Sequence, residues 1–290
     1  MNFGKILTAM VTPFNRHGDI DYPVTTKLVN YLLENGSEGL VVAGTTGESP
    51  TLLDEEKVAL WKHVVKTVDG RVPVIAGSGS NGTKSSIDLS LKAEETGVDA
   101  VMLVAPYYNK PDQNGLYAHF KKIAENLHLP VMIYNVPGRS VVRIDPETII
   151  KLSAIENIVS VKEATGDLDG MAEIIAGTDE NFSIYSGDDH LTLPAYTIGA
   201  HGIVSVSSHV IGNDMKKMLD LYDQGKPKEA AALHRKLLPI FHAMFSAPSP
   251  APVKAALEYA GFDTGGLRLP LLPLSEKQKS SIHHLLQQLD

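Results

Sequence analysis

Short apolar runs recur along the chain, and longer segments with helical spacing of apolar residues separate them. The runs are rich in β-branched residues and seldom alternate with polar ones, which is typical of parallel strands buried on both faces. Eight runs are predicted as strands, at residues 6–11, 39–44, 72–77, 100–105, 130–135, 157–162, 182–187 and 202–207.

The segments between these runs carry the signals of helices. After residue 53, Asp54, Glu55 and Glu56 fall in a predicted first turn, where negative charge favours the helix dipole, and Gly70 follows the predicted end. Eight strand–helix units at spacings of roughly 20–35 residues indicate an α/β fold, the (β/α)8 TIM barrel. An open, doubly wound sheet would show similar alternation, so repetition alone does not decide between them.

The strand pattern ends near residue 207. Residues 213–260 and 275–289 are predicted as helices, with breaks at prolines such as Pro227 and Pro248. We therefore predict two parts, a (β/α)8 barrel over residues 1–224 and an α-helical C-terminal extension over residues 225–290.

Composition narrows the functional classes. The 290 residues carry a formal net charge of −8, and an acidic surface argues against nucleic-acid binding. Cysteine is absent, which excludes disulfides, thiolate nucleophiles and cysteine-ligated zinc. The sequence shows neither a signal peptide nor an apolar stretch near the ~18 residues of a membrane span. We expect a cytoplasmic protein without a membrane partner.

Two motifs resemble ligand sites, but their surroundings argue against that interpretation. Residues 77–82, GSGSNG, match the dinucleotide pattern G-x-G-x-x-G, yet Asp99 precedes the next strand, whereas a ribose-binding acid should end it. Residues 187–190, GDDH, offer three metal ligands, but histidine spacing typical of a metal site is absent. We interpret the first as a glycine-rich loop and expect an aspartate of the second to cap the following helix. No metal is predicted.

Residues suited to chemistry follow the predicted strands at their carboxyl ends, where barrels of this kind place their reaction centres. They are Thr45 and Thr46, Tyr107 and Tyr108, Tyr134, Lys162, and Gly187 to Asp189. Each tyrosine taken singly would more often serve packing. Their convergence with a lysine on one opening favours a reaction centre.

Lys162 is the candidate nucleophile. It ends an apolar strand, where burial disfavours the charged ammonium form. A neutral amine attacks ketones, and the resulting imine is an electron sink for carbanion chemistry. Strand alternation places Glu163 on the opposite face, so the two are not expected to form an ion pair. A strand-terminal lysine that reaches solvent is the alternative, and the residues alone leave both open.

Three motifs resemble a known family. GTTGE (44–48), YNVPGRS (134–140) and SVKEAT (160–165) are similar to the signature of the pyruvate-dependent class I aldolases, which include the N-acetylneuraminate lyases. PYYNKP (106–111) and YSGDD (185–189) extend the likeness. Within this group the chain resembles the dihydrodipicolinate synthase family, because Arg139 of YNVPGRS is typical of the synthases and not of the lyases.

The resemblance implies a lyase reaction that needs no metal or organic cofactor. Lys162 would form a Schiff base with pyruvate, and the enamine would add to L-aspartate 4-semialdehyde to give 4-hydroxy-tetrahydrodipicolinate, in lysine and diaminopimelate biosynthesis. Tyr134, Thr45 and Tyr108 resemble the family's proton relay. Tyr108 is implied to come from a neighbouring subunit of a homodimer or homotetramer.

Substrate contacts are also implied by the resemblance. The N–H groups of Thr45 and Thr46 would hold the pyruvate carboxylate, and Arg139 would bind the semialdehyde carboxylate. Gly187 and Val204 are expected to border the substrates.

The chain departs from the family pattern at two places. In SVSSHV (205–210) the family would have a threonine and an asparagine near Ser207 and His209. The second concerns binding of L-lysine, the end product, which lysine-sensitive members bind beside the first tyrosine of PYYN. This chain keeps Tyr107 and Asn81 there but has Asp54, Lys57 and Ser85 at the other positions, so we expect weak inhibition by L-lysine or none.

Two other functions stay open at this stage. One is a related pyruvate aldolase that acts on a 2-keto-3-deoxy sugar acid, against which Arg139 argues. The other is a non-catalytic binding barrel, against which Lys162, Tyr134 and Thr45 argue.

Overall fold

The computed structural model describes residues 2–289. Eight parallel strands pair in chain order and the eighth returns to the first, so the sheet closes into a barrel. The strands are β1 (Ile6–Ala9), β2 (Gly39–Val42), β3 (Val74–Gly77), β4 (Ala100–Val104), β5 (Val131–Asn135), β6 (Ile158–Glu163), β7 (Ser183–Ser186) and β8 (Gly202–Ser205). The predicted (β/α)8 barrel is confirmed, and its closure excludes the open sheet.

Helices follow every strand. They are α1 (Tyr22–Glu34), α2 (Asp54–Val68), α3 (Thr83–Glu94), α4 (Gln113–Ala124), α5 (Pro137–Ser140), α6 (Pro146–Ser153), α7 (Leu168–Gly177), α8 (Thr192–Thr197), α9 (Ser208–Asp223), α10 (Pro227–Ala243), α11 (Ala251–Tyr259) and α12 (Glu276–Gln287). The acidic first turn of α2 lies where the sequence predicts it, and left-handed residues Asp69 and Gly70 follow its end.

Apolar side chains form two layers, because alternate residues of each strand face opposite sides of the sheet. The inner layer fills the barrel and consists almost entirely of strand residues, among them Leu7, Val41, Met102, Tyr134 and Val204. The outer layer joins the other face of the strands to the helices. The barrel is therefore solid, and its carboxyl end is where a barrel of this kind places its active site.

The chain after β8 is helical, as predicted. Helix α10 packs on α9, and α11 packs on α12. The stretch between α11 and α12 returns to the barrel, where the Thr264 carbonyl accepts a hydrogen bond from the Phe14 N–H at 3.0 Å. The division into two parts at residue 224 falls between α9 and α10 and stays a prediction. Within residues 2–289 we find no helix with the length and apolar character needed to cross a membrane.

Candidate active site

Lys162 lies near the carboxyl end of β6, opposite Tyr134 in the pairing of β5 with β6. Its Nζ lies 4.2 Å from the centre of the Tyr134 ring, and the residue is only 5% exposed. Among the described residues no carboxylate forms an ion pair with this amine. This burial excludes a lysine that simply reaches solvent.

Glu163, the next residue, serves a different purpose. Its Oε2 accepts a hydrogen bond from Asn135 Nδ2 at 2.9 Å, and its Oε1 accepts one from the Thr165 N–H at 2.9 Å. Burial raises the pKa of the Glu163 carboxyl, although these hydrogen bonds act to lower it. The carboxyl group therefore ties together the ends of β5 and β6 and leaves Lys162 unpaired, as strand alternation predicts.

Gly187, just after β7, packs closely against Lys162. A Cβ at position 187 would lie 2.6 Å from the Ala164 Cβ and 3.1 Å from the Lys162 Cε. Asp188 follows it. Burial raises the pKa of the Asp188 carboxyl, while the positive charges of His190 and Lys162 act to lower it. Asp188 is thus an acidic group within electrostatic reach of the amine, in the stretch from Gly187 to Asp189 that the sequence indicates.

The loop after β2 carries Thr45 and Thr46 on a tightly bent backbone. Ala43 and Glu48, on either side, have left-handed φ values of 56° and 58°, a conformation that costs a non-glycine residue about 1–2 kcal/mol. In the described part of the chain no acceptor is found for the N–H groups of Thr45 and Thr46. Two adjacent free N–H groups are suited to holding a carboxylate.

A cavity of about 440 Å³ opens beside these residues. Thr45, Tyr134 and Arg139 share its wall, so the fold brings three of the predicted residues together. Arg139 lies exposed on the short helix α5, and no carboxylate in residues 2–289 pairs with its guanidinium. A free guanidinium at a cavity wall suits a carboxylate substrate.

The same cavity continues to the positions considered for L-lysine. Asp54, Lys57, Asn81, Ser85 and Tyr107 line this part. The Lys57 Nζ lies 3.8 Å from the Asp54 carboxylate. Burial lowers the pKa of Lys57, and the charge of Asp54 acts to raise it.

Five of the eight predicted site residues are not part of the cavity wall, namely Lys162, Gly187, Thr46, Tyr108 and Val204. Tyr108 is 89% exposed and has a left-handed φ of 74°. Val204 is buried with Tyr134 in the inner apolar layer, and Thr46 is buried in its loop. The chain places Lys162 against Tyr134, which shares the cavity wall with Thr45, whereas Tyr108 faces outward.

Asp189 corrects one expectation about the GDDH motif. It accepts hydrogen bonds from the Ser207 Oγ at 2.6 Å, the Ser207 N–H at 2.8 Å and the Val206 N–H at 3.3 Å. Asp188, which precedes the short helical turn 189–191, makes no side-chain cap there. The predicted cap of the following helix is wrong, because Asp189 reaches across to the start of α9 and joins the ends of β7 and β8.

His209, the second departure in SVSSHV, is fully buried in the same region. Its Nε2 accepts a hydrogen bond from the Val11 N–H at 3.1 Å, and its Nδ1 lies 2.8 Å from the Val206 carbonyl oxygen. Burial lowers the pKa of His209 to about 4, so the ring is neutral at pH 7 with Nδ1 as the donor. The departure from the family pattern therefore has a satisfied structural role.

The glycines of residues 77–82 serve close packing of backbones. A Cβ at Gly77 would lie 2.6 Å from the Ala43 carbonyl oxygen. The N–H groups of Ser78 and Gly79 bind the Met102 carbonyl at 3.2 and 3.3 Å. The motif is the predicted loop between β3 and α3, and these contacts account for its small residues without a nucleotide.

Comparisons with known proteins place this geometry in a family. A model of the dihydrodipicolinate synthetase family matches residues 2–289. A Bacillus velezensis protein named 4-hydroxy-tetrahydrodipicolinate synthase is 57% identical over 289 residues, covering 100% of both chains. A Bacillus subtilis protein of the same name is 57% identical over 290 residues, also at 100% of both.

Solved structures give the same result. Dihydrodipicolinate synthase from Bacillus anthracis has a TM-score of 0.99 and 59% identity, over 100% of this chain and 99% of that one. The enzyme from Cyanidioschyzon merolae, solved with lysine bound, has a TM-score of 0.96 and 43% identity, over 98% of this chain and 97% of that one.

Proposed function

The chain belongs to the dihydrodipicolinate synthetase family, and we propose that Lys162 is the nucleophile of its reaction. That reaction condenses pyruvate with L-aspartate 4-semialdehyde to 4-hydroxy-tetrahydrodipicolinate in lysine and diaminopimelate biosynthesis. Membership of this family sets aside the sugar-acid aldolase and the non-catalytic barrel. The observation that carries the assignment is a buried, unpaired amine next to Tyr134 at the carboxyl end of β6.

The chemistry begins at the amine of Lys162. It attacks the C2 ketone of pyruvate, and loss of water leaves an imine. The imine draws electrons from the methyl group, which loses a proton to give an enamine. The enamine carbon adds to the aldehyde of the semialdehyde. The semialdehyde's own amine then attacks C2, releases Lys162 and closes the ring.

Two backbone groups would hold the pyruvate carboxylate. The N–H groups of Thr45 and Thr46 have no acceptor among the described residues and are held in place by a strained loop. Fixed donors of this kind stabilise charge without reorganisation. They would place the ketone of pyruvate toward Lys162.

Proton transfer is assigned to hydroxyl groups. Tyr134 lies against the Lys162 amine, and it shares the cavity wall with Thr45. Hydroxyl groups both donate and accept, so they can pass a proton between the substrate carbons and solvent. Tyr108, exposed on its own subunit, would complete this relay in a neighbouring one.

The test of the assignment is trapping of the imine. Pyruvate with borohydride is expected to label one peptide, and its mass spectrum should place the label on Lys162. A label on any other lysine would contradict the proposal.

Arg139 is proposed to bind the semialdehyde carboxylate. Its replacement by alanine should raise the KM for the semialdehyde far more than the KM for pyruvate, because a charge-assisted bidentate contact of ~1.5–3 kcal/mol is lost. Arg143→Ala is the matched control, since that guanidinium already binds Asp167 at 2.5 Å. Equal changes in both KM values would show that Arg139 has a structural role instead.

Tyr108 is proposed to act in the site of a partner, so the functional unit would be at least a homodimer. Tyr108→Phe should lower kcat by about 100-fold, as loss of a proton relay does. Mixed with inactive Lys162→Ala subunits, it should regain activity, because a mixed dimer contains one intact site. No recovery on mixing, or a fully active monomer in sedimentation, would refute the shared site.

Weak or absent inhibition by L-lysine remains a prediction for this chain. Lys57 places a positive charge beside a ligand that carries two, and Ser85 offers no counter-charge. Losing one such partner weakens binding by roughly 1–3 kcal/mol. Initial rates measured against L-lysine decide it, and half-inhibition below about 1 mM would contradict the prediction.

A further inference from the structure

The C-terminal extension reaches the loop after β2, which carries Thr45 and Thr46, through one buried ion pair. Glu48 ends the GTTGE motif and is fully buried, and Lys254 of α11 is nearly so. The Lys254 Nζ lies 2.8 Å from the Glu48 Oε1 and donates a hydrogen bond to the Gly266 carbonyl at 2.8 Å. It also lies 4.4 Å from the centre of the Phe14 ring. A buried ion pair is tolerated only when both charged groups have partners that offset their loss of water.

A second contact from the extension reaches the same carboxylate. The Arg268 N–H donates to the Glu48 Oε2 at 3.0 Å. Its guanidinium binds both oxygens of Glu56, at 2.5 and 2.8 Å, and the Thr51 carbonyl at 2.8 Å. Residues 48–56 are therefore held at several points by a segment more than 200 positions later in the chain.

Glu48 is joined directly to the proposed pyruvate contacts. Its N–H donates to the Thr45 carbonyl at 3.1 Å, which closes a turn around Thr46 and Gly47. Its own backbone is left-handed, with a φ of 58°. A non-glycine residue keeps this conformation only when its surroundings enforce it. The contacts of the Glu48 side chain with Lys254 and Arg268 provide that enforcement.

We propose that Glu48 is a positioning residue for pyruvate, and that the C-terminal extension acts on the reaction by holding it through Lys254 and Arg268. The side chain of Glu48 fixes the turn, and the turn fixes the direction of the Thr45 and Thr46 N–H groups. The inference rests on the proposed role of those two groups. It gives the extension a function in substrate binding.

The test compares the KM for pyruvate with the KM for the semialdehyde. Glu48→Gln, Lys254→Met and the double variant E48Q/K254M should each raise the KM for pyruvate about tenfold, equivalent to ~1.4 kcal/mol of weakened binding. The KM for the semialdehyde should stay within about twofold. Because the two side chains act as a pair, the double variant should cost no more than the worse single one. The double variant also leaves no unmatched buried charge, so it tests the contact if a single variant fails to fold.

The control is a second ion pair in the C-terminal extension. This pair does not contact the loop that carries Thr45 and Thr46. Lys279 lies 3.0 Å from Glu258, and Lys279→Met should leave both KM values unchanged. A folded Glu48 variant with normal KM for pyruvate, equal rises for both substrates, or the same rise in Lys279→Met would overturn the proposal. Failure of all three variants to fold would overturn it too, because the pair would then hold the fold rather than the loop.

Trapping with borohydride distinguishes this failure from that of the assigned mechanism. If the wild-type protein labels Lys162 while the Glu48 variants keep a normal KM for pyruvate, only the positioning role is wrong. If the wild-type protein does not label Lys162, the mechanism itself fails.

Discussion

Lys162→Ala is expected to abolish condensation, lowering turnover by roughly a thousandfold or more, because the covalent intermediate can no longer form. Tyr134 and the loop proposed to hold pyruvate would remain, but without an imine no electron sink exists for the electrons left when the methyl group loses its proton. The loss should be confined to kcat. Alanine removes a buried amine without an ion-pair partner in residues 2–289, so the fold should persist.

The measurements are the turnover of each protein and the mass of each chain after treatment with pyruvate and borohydride. The wild-type protein should gain one pyruvate-derived adduct per chain, and the Lys162→Ala variant none. Lys5→Ala is the control, since Lys5 lies before β1 at the opposite end of the barrel and pairs with Asp220 and Asp223. Turnover that survives in the Lys162 variant would exclude Schiff-base catalysis by this residue.

The fold could be predicted because its signals are local. Each buried parallel strand is a short apolar run, and every one of the eight predicted runs overlaps a strand of the barrel. Closure of the sheet could not be read from the repetition, because β1 must pair with β8 nearly 200 residues away. The motifs supplied that information through the family, and the pairing in the structure agrees.

The candidate site was predictable where its residues sit at strand ends. Lys162 and Tyr134 were expected at the same barrel opening, and their adjacent strands place them face to face. The direction of Glu163 followed from the alternation of side chains along a strand. These are properties of one or two neighbouring strands, so a sequence is sufficient to predict them.

Long-range polar contacts were not predictable. The sequence contains no signal that pairs Glu48 with Lys254, or Asp189 with Ser207, because each contact depends on how distant segments pack. Asp189 was expected to serve its own helix and instead binds the start of α9. The sequence does not show which charged residues are buried, since lysine and glutamate are usually exposed.

The second large effect is expected at Gly187, because this residue defines the space beside Lys162. Gly187→Ala should lower kcat by about 100-fold, since a Cβ there would lie 2.6 Å from the Ala164 Cβ and 3.1 Å from the Lys162 Cε. Relief of the 2.6 Å overlap would move Ala164, two residues after Lys162, and a misplaced reacting group can cost about that much in rate. Overpacking should also reduce the free energy of unfolding by about 1–3 kcal/mol.

A second variant separates the steric cause from loss of stability. In G187A/A164G the closer of the two clashes is removed, so both kcat and the rate of borohydride trapping should recover in part. Gly138→Ala is the matched control near the same opening, because a Cβ at position 138 meets no atom within 4 Å, and it should retain activity. Steady-state rates and thermal unfolding of the three variants check this. If Gly187→Ala keeps wild-type kcat, the reaction does not depend on the space that Gly187 leaves beside Lys162.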